Sequence, residues 1–277
     1  MASIEYSLFR AKFIRTQQNS LFRTDITAQE AFLQAISSRP SAELRKNHIW
    51  HIGNLRLFSE HTGYFAVGRT KKATVEKFDQ LTGDFVEEDQ EESPYTHCVF
   101  DAHVGIIGIA KKSTLASTTT GIAARLEQLF ATTSVVADNS MAVEIRPIPD
   151  PEGFIRAIHS SYRVYRFAAS FRGPNPFDAD EHFQKPLSVY LSTARGEKGK
   201  AEISGEDLDR DVLEAVTRST AATGNDASAR VARTETQKPI TINLRGDPIK
   251  KRYDEDEHVP EVVLSDLANL YQRIRND

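Results

Sequence analysis

The chain has 277 residues, of which 39% are hydrophobic and 27% are charged, an ordinary composition for a soluble globular protein of one large or two small domains. Its single cysteine excludes an intramolecular disulfide, and its net charge of −4 argues against a globally basic nucleic-acid binder. No stretch approaches the ~20 apolar residues that cross a bilayer, and the first residues lack the apolar run of a signal peptide, so a reducing, cytoplasmic location is predicted.

The first half of the chain alternates between strand and helix patterns. Residues 4–14 are apolar on both faces, which predicts a buried strand. Thr27 and Glu30 have the spacing of a capping box, which predicts a helix over 27–36. Strands are then predicted at 48–58, 64–70 and 97–112, followed by a helix over 119–132 and a strand at 141–148. The predicted order is therefore β-α-β-β-β-α-β.

Two acidic runs hold much of the negative charge. They are GDFVEEDQEES at 83–93 and YDEDEH at 253–258. Runs of this kind are typical of solvated loops. An alternative for the first is an element that imitates DNA or binds a partner.

The second half begins at Asp150 and Pro151, which favour the start of a helix. An arginine-bearing strand at 162–172 follows, and a Pro-Asn-Pro turn then leads into a helix from about residue 179. A short strand is predicted at 188–196 and a helix over 206–222, with Gly224 as its C-terminal cap. The remaining predictions are strands at 228–234 and 238–246 and a helix over 259–275.

These elements predict an α+β fold with antiparallel sheets and helices packed on one face. The chain divides near residue 150 into an N-terminal half, 1–149, and a C-terminal half, 150–277. The specific prediction is two ferredoxin-like or TATA-binding-protein-like halves that share one packed interface.

Three residues are candidates for catalysis, and they lie close together in the sequence: His97, Asp101 and His103. A divalent-metal nuclease needs carboxylates and a lysine that converge on the ion, and Lys111 follows Asp101 on the predicted strand. A second carboxylate is missing from that strand, and the histidine spacing fits no zinc site. The simpler interpretation is polar residues at strand edges. Because the chain also lacks a phosphate loop and a nucleophile elbow, we expect no cofactor and no metal.

The segment YRVYRFAASFR, residues 162–172, combines arginines with aromatic rings. Regular strand alternation places Arg163 on the face of Phe167 and Phe171, and Arg166 and Arg172 on the opposite face. Guanidinium groups bind phosphates and rings stack on bases, so the strand suits a nucleic-acid ligand. The alternative is an amphipathic strand whose rings lie in the core and whose arginines reach solvent.

Further cations follow along the chain and would extend a basic surface. Arg230 and Arg233 lie on the predicted strand 228–234, and a second group comprises Lys250, Lys251 and Arg252. The predicted nucleic-acid-binding residues are Arg163, Arg166, Arg172, Arg230 and Arg233.

Residues 154–250 resemble the C-terminal half of a bacterial family, domain of unknown function 4747. The motifs that carry the resemblance are Pro174-Asn175-Pro176 with Asp178, the alanine-rich helix end before Gly224 and Asn225, and the short strand before Asp247-Pro248. In this chain Phe177 stands before Asp178, where the family pattern leads us to expect an acidic pair. The resemblance implies a bacterial protein associated with phage defence, and it supplies no catalytic residues.

Three functions are consistent with the sequence. The first is a non-catalytic component of a phage-defence or toxin–antitoxin system that binds nucleic acid or a protein partner encoded in the same operon. The second is a divalent-metal nuclease toxin that uses Asp101, His97 and His103. The third is a structural protein that assembles as a homo-oligomer. None of the three requires a membrane.

Overall fold

The structure, a computed structural model, describes residues 3–15, 26–172, 183–196, 198–244, 246–255 and 258–276. It confirms the α+β class: a nine-stranded sheet and a four-stranded sheet contain the described strands, and every pairing between those strands is antiparallel. Among the described helices, none combines the length and apolarity needed to cross a membrane.

The helices are α1 Ala28–Ser37, α2 Thr119–Ala131, α3 Ser134–Asp138, α4 Glu152–His159, α5 Gln184–Thr193, α6 Arg210–Ala222 and α7 Pro260–Asn276. The strands are β1 Ser3–Arg15, β2 Ser41–Arg45, β3 His48–Leu57, β4 Thr62–Phe78, β5 Phe85–Glu92, β6 Tyr95–Asp101, β7 Ile106–Ala110, β8 Met141–Pro147, β9 Arg163–Arg172, β10 Lys198–Ser204, β11 Ala227–Ala232, β12 Ile240–Leu244 and β13 Lys250–Asp254.

The large sheet has the strand order β13-β1-β7-β6-β4-β3-β2, with β5 beside β4 and β8 beside β1. Helices α1, α2 and α3 contribute side chains to the hydrophobic core on one face, where the rings of Phe13, Phe32 and Phe130 meet. The capping box predicted at α1 is confirmed, because Thr27 and Glu30 bond to each other's backbone N–H. On the other face, Leu267 of α7 packs beside Gly108 of β7.

The small sheet has the order β10-β9-β11-β12. Its inward residues pack with α4, α6 and α7 in a second core that also contains Tyr6 and Leu8 of β1. The expected boundary near residue 150 is crossed by β13, which pairs with β1, and by α7, which contacts β6 and β7. The two sheets therefore share this second core, and the small sheet directs its opposite face outward.

Several predicted elements are wrong in type or extent. Segment 97–112 is two strands, β6 and β7, because the chain turns back at Gly105, whose φ of +72° favours glycine. Segment 188–196 belongs mainly to helix α5, in which Ser188 and Leu191 are buried at helical spacing. Helix α6 begins at Arg210 behind the N-cap Asp209, so its buried face includes Leu213 and Thr217, whereas Val212 and Ala215 are exposed.

The first acidic run was also predicted incorrectly, because residues 85–92 form the strand β5. This strand extends a long hairpin with β4, in which Lys71 lies opposite Glu92 and Lys72 opposite Glu91. Opposite charges at facing positions stabilise such pairs, and these two pairs help an acidic sequence to adopt a strand even though Glu76 lies opposite Glu87. The Pro-Asn-Pro turn, with Asp178 and the helix start near residue 179, lies outside the described residues.

Candidate nucleic-acid interface

Strand β9 presents its three arginines to the same side of the small sheet. Arg166 lies opposite Arg230 of β11, whereas Val164 lies opposite Val231, so Tyr165 is an additional residue on β9. This β-bulge shifts the alternation by one position. Arg163 therefore shares the outward face with Arg166 and Arg172, while Phe167 and Phe171 are buried. The predicted placement of Arg163 with these rings is wrong because regular alternation contains no bulge.

Strand β10 adds two lysines that the sequence reasoning missed. Lys198 lies opposite Arg172, and Lys200 lies opposite Ser170. The segment around them was not predicted as a strand, because its outward residues are charged and its inward residues include Gly199, Ala201 and Ile203. A period-two alternation of charged and small residues was the available signal.

We call the resulting surface the basic face. It consists of the outward cations Arg163, Arg166, Arg172, Lys198, Lys200 and Arg230. On the outward positions of the described strands of this sheet there is one carboxylate, that of Glu202. A chain with a net charge of −4 thus concentrates six positive charges on one sheet surface.

Carboxylates neutralise part of the basic face. Glu202 accepts hydrogen bonds from Lys200 Nζ at 3.2 Å and Arg166 Nη1 at 3.1 Å. The hydrogen bond from Lys200, together with the nearby charge of Arg166, lowers the pKa of this carboxyl. Arg172 contacts Glu144 of β8. Glu202 is exposed and Glu144 is buried, so the second contact restricts its arginine more strongly.

Other cations form no ion pair with a described carboxylate, although Arg163 lies close enough to Asp207 for its charge to act on that carboxyl. Arg230 is exposed on β11, beside Arg166, and Arg233 is exposed just beyond the end of that strand. Neither forms an ion pair with a described residue. Arg163 lies over the ring of Tyr162, with 5.2 Å between its Cζ and the ring centroid. This pair presents a guanidinium and a partly exposed ring beside each other.

The expected extension through residues 250–252 does not form. These residues belong to β13, on the edge of the large sheet, and each is held by a carboxylate. Lys251 Nζ is 2.6 Å from Asp266 Oδ2, and Arg252 Nε is 2.9 Å from Glu5 Oε2. Lys250 also lies near Glu5. The basic face is therefore confined to the small sheet.

The candidate catalytic residues lie in two separate environments, because Asp101 and His103 share the turn after β6 and His97 lies apart from them. His97 Nδ1 is 2.8 Å from the hydroxyl of Tyr64, and burial, followed by the charge of His258, lowers the pKa of His97. Asp101 Oδ1 accepts the backbone N–H groups of His103 and Val104, which closes the turn after β6. The ring of His103 stacks on that of His61.

His97 and Asp101 are four residues apart on an extended strand, a separation of about 13 Å. Within the part of the chain that the structure describes, no group of three or more His, Cys, Asp or Glu side chains is placed to hold a metal ion. Cys98 is fully buried, and this burial raises the pKa of its thiol, so it is not a reactive thiolate at neutral pH.

No family model matches the chain, and no curated protein matches it either. The chemical character of the basic face follows from its own residues. Its extended row of cations, beside an exposed tyrosine, has the chemistry that binds a phosphate backbone and stacks on a base.

Proposed function

We propose that this chain is a non-catalytic nucleic-acid-binding protein and that the basic face is its interface. The observation that supports the proposal is the collection of six outward cations around one carboxylate on the small sheet. Phosphate contacts of this kind supply most of the affinity of sequence-independent binding.

A single strand is the ligand that this surface suits best. The basic face is a sheet surface, whereas a duplex is usually read by an element that enters a groove. Sheets that bind single strands combine backbone-tracking cations with rings on which bases stack. Tyr162, beside Arg163 at the start of β9, is such a ring, and 41% of its surface is exposed.

The experiment is a salt titration of binding, measured by fluorescence anisotropy with labelled 20-nucleotide DNA and RNA strands. If all six cations contact phosphates, the logarithm of the affinity is expected to fall against the logarithm of salt concentration with a slope of about −4, since each contact to a single strand contributes about 0.7. A slope near zero, or no binding at low salt, would contradict the proposal. Loss of intact strand on addition of Mg²⁺ would instead favour the nuclease alternative.

A role in phage defence or in a toxin–antitoxin system stays a prediction, because it depends on the resemblance of residues 154–250 alone. A protein partner and a homo-oligomer also stay predictions. Light scattering of the purified protein, with and without the strand, would distinguish a homo-oligomer from a nucleic-acid complex.

A further inference from the structure

A cavity of about 490 Å³ opens where the basic face meets β8 of the large sheet. Arg172 and Lys198 belong both to the basic face and to the cavity wall. The opposite wall includes Glu144 and Arg146 of β8. The volume lies within the ~300–1,000 Å³ range of small-molecule sites. The cavity is thus large enough for a ligand and continuous with the proposed interface.

The cavity wall carries three cations and two carboxylates where the two sheets meet. Arg146, Arg172 and Lys198 line it together with the carboxylates of Glu144 and Asp226. Lys198 and Arg172 are directly paired across β10 and β9, so their outward side chains are neighbours. This pair places an ammonium-bearing and a guanidinium-bearing side chain next to each other in the cavity wall, and both groups can bind a phosphate.

Glu144 lies beside both arginines of the cavity wall. It is buried, one of its oxygens contacts Arg172, and its Oε2 lies 3.8 Å from Arg146 Nε. Oε2 accepts no hydrogen bond from a described residue. A buried carboxylate oxygen without a donor is costly, and a ligand that donates an N–H or O–H would satisfy it.

The end of helix α6 shapes the rest of the wall. Gly224, with φ of +64°, closes a Schellman motif, as predicted from its position after the helix. A Cβ at this position would lie 3.0 Å from Arg146 Cβ, so glycine allows the close approach to β8. Asn225 follows, and its Oδ1 accepts a hydrogen bond at 3.2 Å from Lys12, a lysine that is 4% exposed.

We infer that this cavity binds a nucleotide through its phosphomonoester, and that the nucleotide is the phosphorylated end of a strand held on the basic face. The inference rests on the proposed function. A terminal phosphomonoester carries a charge of about −1.5 to −2 at neutral pH and three acceptor oxygens, whereas each internal phosphodiester carries one charge. The cavity is therefore expected to favour the phosphorylated end of a strand over its interior, because Arg172, Lys198 and Arg146 line it. The hydroxyl or amino groups of the same nucleotide can donate to Glu144.

The test compares 20-nucleotide strands that carry a 5′-phosphate, a 3′-phosphate or hydroxyl groups at both ends, with AMP as a competitor. We expect one phosphorylated end to bind about tenfold more tightly than the hydroxyl-ended strand, equivalent to about 1.4 kcal/mol. In Arg146→Gln this ratio is expected to fall to about one. In Arg230→Gln, which alters the basic face away from the cavity, both affinities should fall by the same factor and the ratio should persist.

The outcomes separate the two proposals. Equal affinities for phosphorylated and hydroxyl-ended strands would overturn the cavity proposal and leave the basic face intact. A ratio that persists in both Arg146→Gln and Lys198→Gln would also overturn it, provided that circular dichroism shows both variants to be folded. Binding of AMP that depends on Arg146, without binding of any strand, would support the cavity, identify a free nucleotide as the source and overturn the proposed function. Absence of binding by strands and by AMP would overturn both proposals.

Discussion

Two basic regions of this protein, the start of β13 and the basic face, differ in how completely carboxylates neutralise them. Strand β13 begins with Lys250, Lys251 and Arg252, and carboxylates of β1, α7 and the preceding loop lie beside all three cations. Strands β9 and β11 carry their arginines on the basic face, where Glu202 and Glu144 contact two of them and Arg230 makes no ion pair with a described residue. A run of cations therefore indicates a ligand surface only when the fold leaves part of the positive charge without internal partners.

The difference has a physical origin in the neighbours of each strand. The partner of β13 is β1, whose Glu5 is directly opposite Arg252. The neighbours of β9 are β10 and β11, which place further cations on the same face. Like charges on adjacent strands repel one another, and that cost is recovered when an anion binds.

Charge reversal should produce the largest effect. In the double variant Arg166→Glu and Arg230→Glu, two phosphate contacts are replaced by repulsions, and we expect the affinity for a single strand to fall roughly a hundredfold. Anisotropy at constant salt measures this change. The matched control is Lys250→Glu with Arg252→Glu on β13, for which we expect affinity within about twofold of the wild type. An equal loss in both double variants would show that general charge, and not the basic face, determines binding.

Neutralising one cation of β13 and one of the basic face should show which of the two regions contributes to stability. Lys251 is half-buried against Asp266 and lies over the ring of Tyr253, so Lys251→Gln should lower the free energy of unfolding by about 0.5–1 kcal/mol. Arg230→Gln should change it by less than about 0.5 kcal/mol, because that arginine makes no ion pair with a described residue. Urea denaturation measures both values. If Arg230→Gln were the more destabilising change, the cations of the basic face would be contributing to the stability of the fold.

The smallest effect concerns two histidines, His97 on β6 and His258 in the segment before α7. Burial lowers the pKa values of His97 and His258 from their usual value of 6.5. Below pH 6.5 the unfolded chain therefore binds protons that the folded chain does not, and stability falls as the pH decreases. Above that pH these histidines are neutral in both the folded and the unfolded chain, and their contribution to stability does not change with pH.

We expect the variant His97→Gln to lose less stability than the wild type between pH 7.5 and pH 5.5. Thermal unfolding at both pH values measures the difference. The double variant with His258→Gln should reduce the dependence further. Identical pH profiles for the wild type and both variants would mean that these histidines titrate alike in the folded and unfolded chains.

Local patterns predicted those elements that depend on neighbouring residues in the sequence. The apolar pattern of β1, the capping box of Thr27 and Glu30, and the glycine at the end of α6 are confirmed. The α+β class followed from the same patterns. The arginines of β9 were also visible as candidates. Each of these features depends on backbone geometry and side-chain chemistry over a few residues, which a single sequence contains.

The sequence by itself determined which residues are basic, where most strands and helices lie, and that few residue patterns suit catalysis. Only the tertiary structure decided which charges face outward together. The bulge at Tyr165 turned Arg163 to the side of Arg166, the pairing of β10 added Lys198 and Lys200, and Glu5 reached Arg252 from 247 positions away. Strand register decides which face of a sheet a side chain lies on, and contacts between distant segments decide which charges are neutralised. Local residue patterns specify neither the register nor those contacts.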